Sequence, residues 1–459
     1  MCAAPTKSLR HNRPAAREAG RGVAMTANDQ GPKGAHLIWP SLRSQWPFQV
    51  RVVEPDSYDF KQHAAIFHSV LADLVNLTPP QLDGLTQQRA PSGPRRFDLI
   101  TFPEAFIAPD TLAITLKSVK QAGLRGCVHV GLRSEGDHHL FTTNAVRKLV
   151  DDLSLLIDCP EDLDLFEAWL CEQDDDQYFN IGCVFMIDAD HKVRLCLHPK
   201  LVRSRFEESV RPEDHMREAN LLTLITLQPR NRIFGSVTLQ PLICADALGG
   251  TNDCLTCAPM AAVTRYASAF EGDLPNHVDI VSLATCTPQP VEQTLNGEPY
   301  RLWHVDFLDA FRNAAKEDAY ARHHHAALVL SNFLNTPNHR EGGLSGIFLP
   351  MPPGFKDTLP GLSVCCWGRP THGSGNNRWS TPDDQALTKW SSMGFVAGLN
   401  PYAESAKATA RIFQFELPRL PREQSRWGHK ESLVDLRVHL CVQDDHGDLV
   451  IQAGKNANA

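Results

Sequence analysis

Three hydrophobic runs of this chain each stop at a side chain that belongs in a reaction centre, which demands a fold that gathers strand ends. Glu104 closes Phe97-Asp98-Leu99-Ile100-Thr101-Phe102-Pro103, and Lys200 closes Val193-Arg194-Leu195-Cys196-Leu197-His198-Pro199. Cys244 closes Val237-Thr238-Leu239-Gln240-Pro241-Leu242-Ile243. Each run has the length and composition of a buried strand. A carboxylate, an ammonium and a thiol are the general base, oxyanion stabiliser and nucleophile of a covalent hydrolase.

The chain between them alternates in period. Residues 48–53 read as a first strand, and residues 59–77 carry Phe60, Ala64, Phe67, Leu71 and Leu74 on one helical face. After a Pro/Gly-rich loop at 78–94 comes the strand that delivers Glu104; Asp110 then caps a helix to about Gln121, Gly123 ends it, and residues 126–132 form the next strand. Strand, helix, strand, helix, strand predicts an α/β domain with a partly buried mixed sheet. Farther on, residues 179–187 and 192–198 flank the turn Asp188-Ala189-Asp190-His191 as a hairpin leading into Lys200. Strands are also expected at 326–331, 346–349 and 411–417.

Composition narrows the classes. A chain of 459 residues buries an ample core without a metal or disulfide staple. Its net charge of −8 argues against a nucleic acid or an anionic membrane as partner. Thirteen cysteines, an odd number spread along the chain, fit a reducing compartment and a cytoplasmic location. No apolar run approaches the roughly 20 residues that span a bilayer. The first 46 residues read as a polar, disordered leader bearing Lys7, Arg10, Arg13, Arg17 and Arg21, with Met25 as an alternative start.

In order, context and spacing, Glu104, Lys200 and Cys244 resemble the Glu-Lys-Cys triad of the nitrilase, or carbon-nitrogen hydrolase, superfamily. Five segments within residues 48–417 carry the resemblance: Asp98-Leu99-Ile100-Thr101-Phe102-Pro103-Glu104; Phe179-Asn180-Ile181-Gly182 with Lys200-Leu201-Val202; Pro241-Leu242-Ile243-Cys244-Ala245-Asp246; Val278-Asp279-Ile280-Val281-Ser282-Leu283; and residues 319–332, where the family has a helix and then a strand ending in Asn. The resemblance implies a nitrilase-like four-layer α-β-β-α sandwich over residues 47–417, with insertions near 150–177, 249–276 and 286–301 and a C-terminal extension at 418–459. It also implies a homodimer or larger homo-oligomer.

Carried onto this chain, the resemblance makes Cys244 the nucleophile and Glu104 the base that takes its proton and later activates water. Lys200 and the backbone N–H of Ala245 would receive the oxyanion. Members also use a second glutamate soon after the lysine; Glu207 and Glu208 stand seven and eight residues beyond Lys200, and the spacing favours Glu207. Their alternative reading is a pair of solvated acids beside Arg203 and Arg205. Asp246 reads as a structural acid that stabilises the turn. A small Ala245 directly after the cysteine, with Leu248-Gly249-Gly250 beyond it, departs from many members and bars transfer of their substrates.

Other constellations carry less. Cys254-x-x-Cys257 lacks a second pair at a zinc-binding distance, His323-His324-His325 points in divergent directions, Cys365-Cys366 reads as a buried strand pair, and the acidic stretch 150–177 reads as a solvated face. No metal or organic cofactor is implied. The expected activity is an amidase acting on a small-molecule amide through a thioester. Nitrile hydrolysis is the alternative within the enzyme class, and a nitrilase-like regulatory or effector module binding a small molecule or protein is the alternative outside it.

Overall fold

The computed structural model describes residues 31–41, 48–58, 60–75, 97–122, 124, 126–134, 139–204, 207, 216–230, 235–248, 252, 255–286, 294–295, 298–299, 310, 317–334, 345–350, 393–397, 408–417 and 435–456. The loop at 78–94, most of the 286–301 segment, Arg205, Glu208, Cys254 and Cys365-Cys366 lie outside the described residues.

Two large mixed sheets form. One holds seven strands in the order β1 (Lys33–Ser41), β9 (Leu221–Pro229), β10 (Val237–Ile243), β11 (Ile280–Ala284), β14 (Ala327–Ser331), β15 (Gly346–Pro350) and β16 (Met393–Ala397). The other holds eight: β19 (Leu449–Asn456), β18 (Asp435–Gln443), β17 (Ala408–Leu417), β2 (Phe48–Pro55), β3 (Leu99–Thr101), β4 (Cys127–Gly131), β7 (Ile181–Ile187) and β8 (Val193–Pro199). Strands β5 (Phe141–Thr142) and β6 (Tyr178–Phe179) pair separately, as do β12 (Thr294–Leu295) and β13 (Glu298–Pro299). The α-helices are α1 (His63–Val75), α2 (Pro109–Ala122), α3 (Thr143–Ser154), α4 (Asp164–Leu170) and α5 (Pro259–Arg265).

The two-residue period of the strands sorts side chains between two cores. Leu99, Cys127, Val184 and Cys196 of the eight-stranded sheet pack with Leu239, Ile280 and Val329 of the seven-stranded sheet in one cluster, so the sheets face each other. Their chain neighbours Ile100, Val128, Leu195 and Val281 belong instead to the cluster that takes in Phe67 of α1, Leu116 of α2 and Val263 of α5. Inner strands β3, β4, β10 and β11 are buried throughout, which is why they read as continuous apolar runs.

Three regions depart from the sequence reading. Residues 33–41 of the expected leader form β1, paired in parallel with β9 over its whole length and burying Trp39 completely. Its flanking glycines and prolines mask an Ala35-Leu37-Trp39 alternation. Residues 435–456 of the expected extension form β18 and β19, which continue the eight-stranded sheet from β17. The acidic stretch is solvated on one side only: Asp151 and Asp152 are exposed, while Val150, Leu153, Phe166 and Trp169 join the core.

Candidate active site

Glu104, Lys200 and Cys244 all stand just past the carboxyl ends of strands, Glu104 and Lys200 from the eight-stranded sheet and Cys244 from the seven-stranded one. Glu104 is placed by a tight turn. Pro103 O accepts the Gly131 N–H at 3.1 Å, Phe106 N–H returns to Gly131 O at 2.9 Å, and Ala105 takes a left-handed φ of 50°. A Cβ on Gly131 would stand 2.5 Å from Glu104 Cα, so this approach requires glycine.

Lys200 is the hub. Its Nζ donates to Glu104 Oε1 at 2.9 Å and to Glu207 Oε1 at 2.8 Å, and all three side chains are buried. Asn180 Nδ2 donates to the same two oxygens, at 2.7 Å to Glu104 and 3.3 Å to Glu207. Two donors thus bridge two carboxylates that would otherwise repel. Burial works against the lysine's charge, but Glu104, Glu207 and the Cys244 sulfur outweigh it and hold its pKa well above the ordinary value.

The two glutamates differ in what they accept. Glu207 Oε1 also lies 3.5 Å from His139 Nε2, and its Oε2 accepts the Ser204 N–H at 2.8 Å. Burial would raise its pKa, but Lys200 and then His139 more than offset this and hold it well below the usual carboxylate range. An acid held ionised so firmly is a poor proton acceptor. Glu104 Oε2 accepts the Cys286 N–H at 3.0 Å, which aims the carboxylate from the opposite sheet.

Cys244 opens a 3-10 turn (Cys244–Ala247) after β10 and has a φ of 45°, the left-handed region that non-glycine residues avoid. Asp246 closes that turn and ties it to the lysine segment. Its Oδ1 accepts Leu201 N–H and Val202 N–H, both at 2.8 Å, and its Oδ2 accepts Ile243 N–H at 3.0 Å. Burial pushes the Asp246 pKa up to about 7 in spite of these donors. Ala245 is buried in the first positions of the turn, where backbone N–H groups have no partner within a helix. Cys286 brings a second thiol, pushed well above its ordinary pKa by burial first and then by Glu104 and Cys244.

The structure therefore gathers Glu104, Lys200, Glu207, Cys244 and Ala245 at one end of the inter-sheet space, while Glu208 lies outside the described residues. Asn180, His139, Ser204 and the Cys286 N–H had no assigned role in the sequence. Asn180 stood within a matched segment; the others carried no sequence signal. His323 Nε2 donates to Gln240 Oε1 at 2.6 Å, and His324 Nε2 donates to Glu317 O at 3.1 Å, so adjacent histidines serve separate places. Among the described residues no group of three or more His, Cys, Asp and Glu side chains is placed to hold a metal ion. No helix among them is long and apolar enough to cross a membrane.

No family model and no curated protein matches the chain. A solved structure described as "Crystal structure of N-terminal amidase" is similar over 66% of this chain and 90% of that one, at 10% identity and a TM-score of 0.35. A likeness that loose leaves the meaning of the site to its own geometry.

Proposed function

We propose that this chain is a cysteine-dependent hydrolase of a non-peptide C–N bond, an amidase on a nitrilase-like four-layer α-β-β-α sandwich. The observation that carries the reading is one buried ammonium, Lys200, held by two carboxylates and within electrostatic reach of a thiol on a left-handed strand-end turn. Burial of such a charge cluster is costly, and a purely structural core gains little from it. Perturbed, clustered ionisable groups mark functional sites.

In the proposed reaction Glu104 takes the Cys244 proton as sulfur attacks the amide carbon. The negative oxygen is received by Lys200 Nζ and the Ala245 N–H. The proton then passes from Glu104 to the departing nitrogen, the C–N bond breaks and a thioester remains. Water, deprotonated by Glu104, attacks the thioester and the acid leaves as the thiol re-forms. Glu207 stays ionised throughout and fixes Lys200. Nitriles would use the same groups.

Ammonia release across a panel of amides and nitriles, with Cys244→Ala as control, tests the reading. Turnover lost in the variant is the expected result, and amide turnover above nitrile turnover selects the amidase. Absence of turnover with every compound would overturn the hydrolase reading and favour a binding module.

A further inference from the structure

On the face each sheet turns to the other, four strands pass from an apolar to a polar residue toward their carboxyl ends; Thr101 and His129 pair in register, and His198 stands one step farther on, level with Gly131. Strand β3 carries Leu99 and then Thr101, β4 carries Cys127 and then His129, β8 carries Cys196 and then His198, and β11 carries Ile280 and then Ser282. The first member of each pair lies in the apolar inter-sheet cluster. The second is polar and equally buried, at 2% exposure or less. Two or three residues farther along the chain stand Glu104, Gly131, Lys200 and Thr285. A polar layer, stepped at His198, therefore lies between the apolar core and the candidate site.

The layer is joined by hydrogen bonds across the sheets. Ser282 Oγ lies 2.7 Å from Thr101 Oγ1 and 2.7 Å from His129 Nδ1, and His129 Nε2 lies 3.1 Å from His198 Nε2. Ser282 belongs to the seven-stranded sheet and the other three to the eight-stranded sheet. Its strand pairs with β10 in a register that sets Pro241 opposite Ser282 and Ile243 opposite Ala284, immediately before Cys244. Thr101 precedes Glu104 by three residues and His198 precedes Lys200 by two. Gly182 makes the room: a Cβ there would collide with the His198 ring.

Apolar side chains would fill this layer without the desolvation cost of two hydroxyls and two imidazoles. What a satisfied buried network adds is a fixed geometry. We propose that Ser282 is a positioning residue for the reaction: its hydroxyl, bonded at once to Thr101 and His129, locks the sheet bearing Cys244 against the sheet bearing Glu104 and Lys200. The inference rests on the reading of Cys244 as the nucleophile. A slip of about 1 Å between reacting groups costs on the order of a hundredfold in rate, so this bond pair acts on turnover without touching substrate.

The experiment is brief iodoacetamide labelling of the full-length protein, read by peptide mass spectrometry, with kcat and KM measured on whichever amide is turned over. Cys127 and Cys196, in the inter-sheet core, report loosening of the sheets. In Ser282→Ala we expect Cys244 labelling and kcat to fall about tenfold or more, KM to stay within about twofold, and Cys127 and Cys196 to remain protected. Thr101→Val keeps the side-chain shape, removes one of the two bonds and is expected to shift the same readouts in the same direction with no cavity. Wild-type labelling of Cys244 ahead of Cys127 and Cys196 tests the hydrolase reading, and its absence overturns that reading and the clamp together. With wild-type labelling as expected, unchanged Cys244 labelling and kcat in both variants overturns the clamp alone. Exposure of Cys127 and Cys196 alongside Cys244 also overturns it, making Ser282 a structural residue only.

Discussion

At the scale of single residues, the backbone at Cys244 is held where a Cβ is unfavourable by about 1–2 kcal/mol. The positive φ gives the proposed nucleophile a signature independent of its chemistry. Cys244→Ala is expected to abolish turnover. Cys244→Gly is expected to be equally inactive yet more stable than Cys244→Ala by about 1 kcal/mol, because glycine accepts a positive φ freely. Urea unfolding of the two variants decides the point; equal midpoints would show that the turn is unstrained. Glu104→Gln and Lys200→Ala should each lower kcat by about a hundredfold or more. Lys200→Ala also strands two buried carboxylates and should cost about 3–5 kcal/mol of stability, whereas Glu104→Gln keeps the side-chain shape, leaves Lys200 paired with Glu207 and loses only one acceptor position, and should cost less. Near-normal kcat in both would favour a binding module.

At the scale of elements, the polar layer beneath the site makes the inter-sheet packing sensitive to acid. Burial holds His198 at about 3, against about 6.5 in an unfolded chain. Above pH 6.5 both states are neutral and nothing is lost. Between 6.5 and 3 the unfolded chain binds a proton that the folded protein refuses, so stability falls with pH, by about 2 kcal/mol from pH 7 to pH 5 for this one ring. Asp246, raised to about 7, works in the opposite direction, but its contribution is common to wild type and variant. His198→Phe is therefore expected to lose about 2 kcal/mol less than wild type over that interval, as measured by urea unfolding at both pH values. Parallel losses would mean that His198 titrates alike in both states. The strands carrying this layer were legible in the sequence from their apolar runs and breaks. The layer was not: alternation says that Thr101, His129 and Ser282 share an orientation with Leu99, Cys127 and Ile280, but not that β11 belongs to the opposite sheet. Asn180 was hidden for the same reason, since its bridging role exists only where β7 and β8 bring residues 180 and 200 together.

At the scale of the whole molecule, one edge of each large sheet, β1 of the seven-stranded and β19 of the eight-stranded, lies in a segment that sequence reading set aside. Lys33–Ser41 sits between Gly/Pro-bearing stretches whose composition favours a loop, and its nine-residue parallel pairing with β9 becomes visible only in three dimensions. The sequence before Met25 differs: it is rich in arginine and has no periodic apolar face, so its removal is expected to leave activity and the thermal midpoint unchanged. Deletion through Ser41 is expected to have the opposite outcome. It withdraws the fully buried Trp39 from the inter-sheet core and leaves a long strand edge on β9 without its partner. Loss of a buried tryptophan alone costs about 3–5 kcal/mol, a large fraction of the 5–15 kcal/mol that stabilises an ordinary domain, and an exposed hydrophobic edge promotes association. The shorter deletion should thus give soluble, cooperative unfolding like wild type, the longer one aggregated protein, and Trp39→Ala a folded protein with a lowered midpoint. Size-exclusion chromatography and thermal unfolding of the three variants check this ordering, and a soluble, fully stable deletion through Ser41 would show that β1 is dispensable to both sheets.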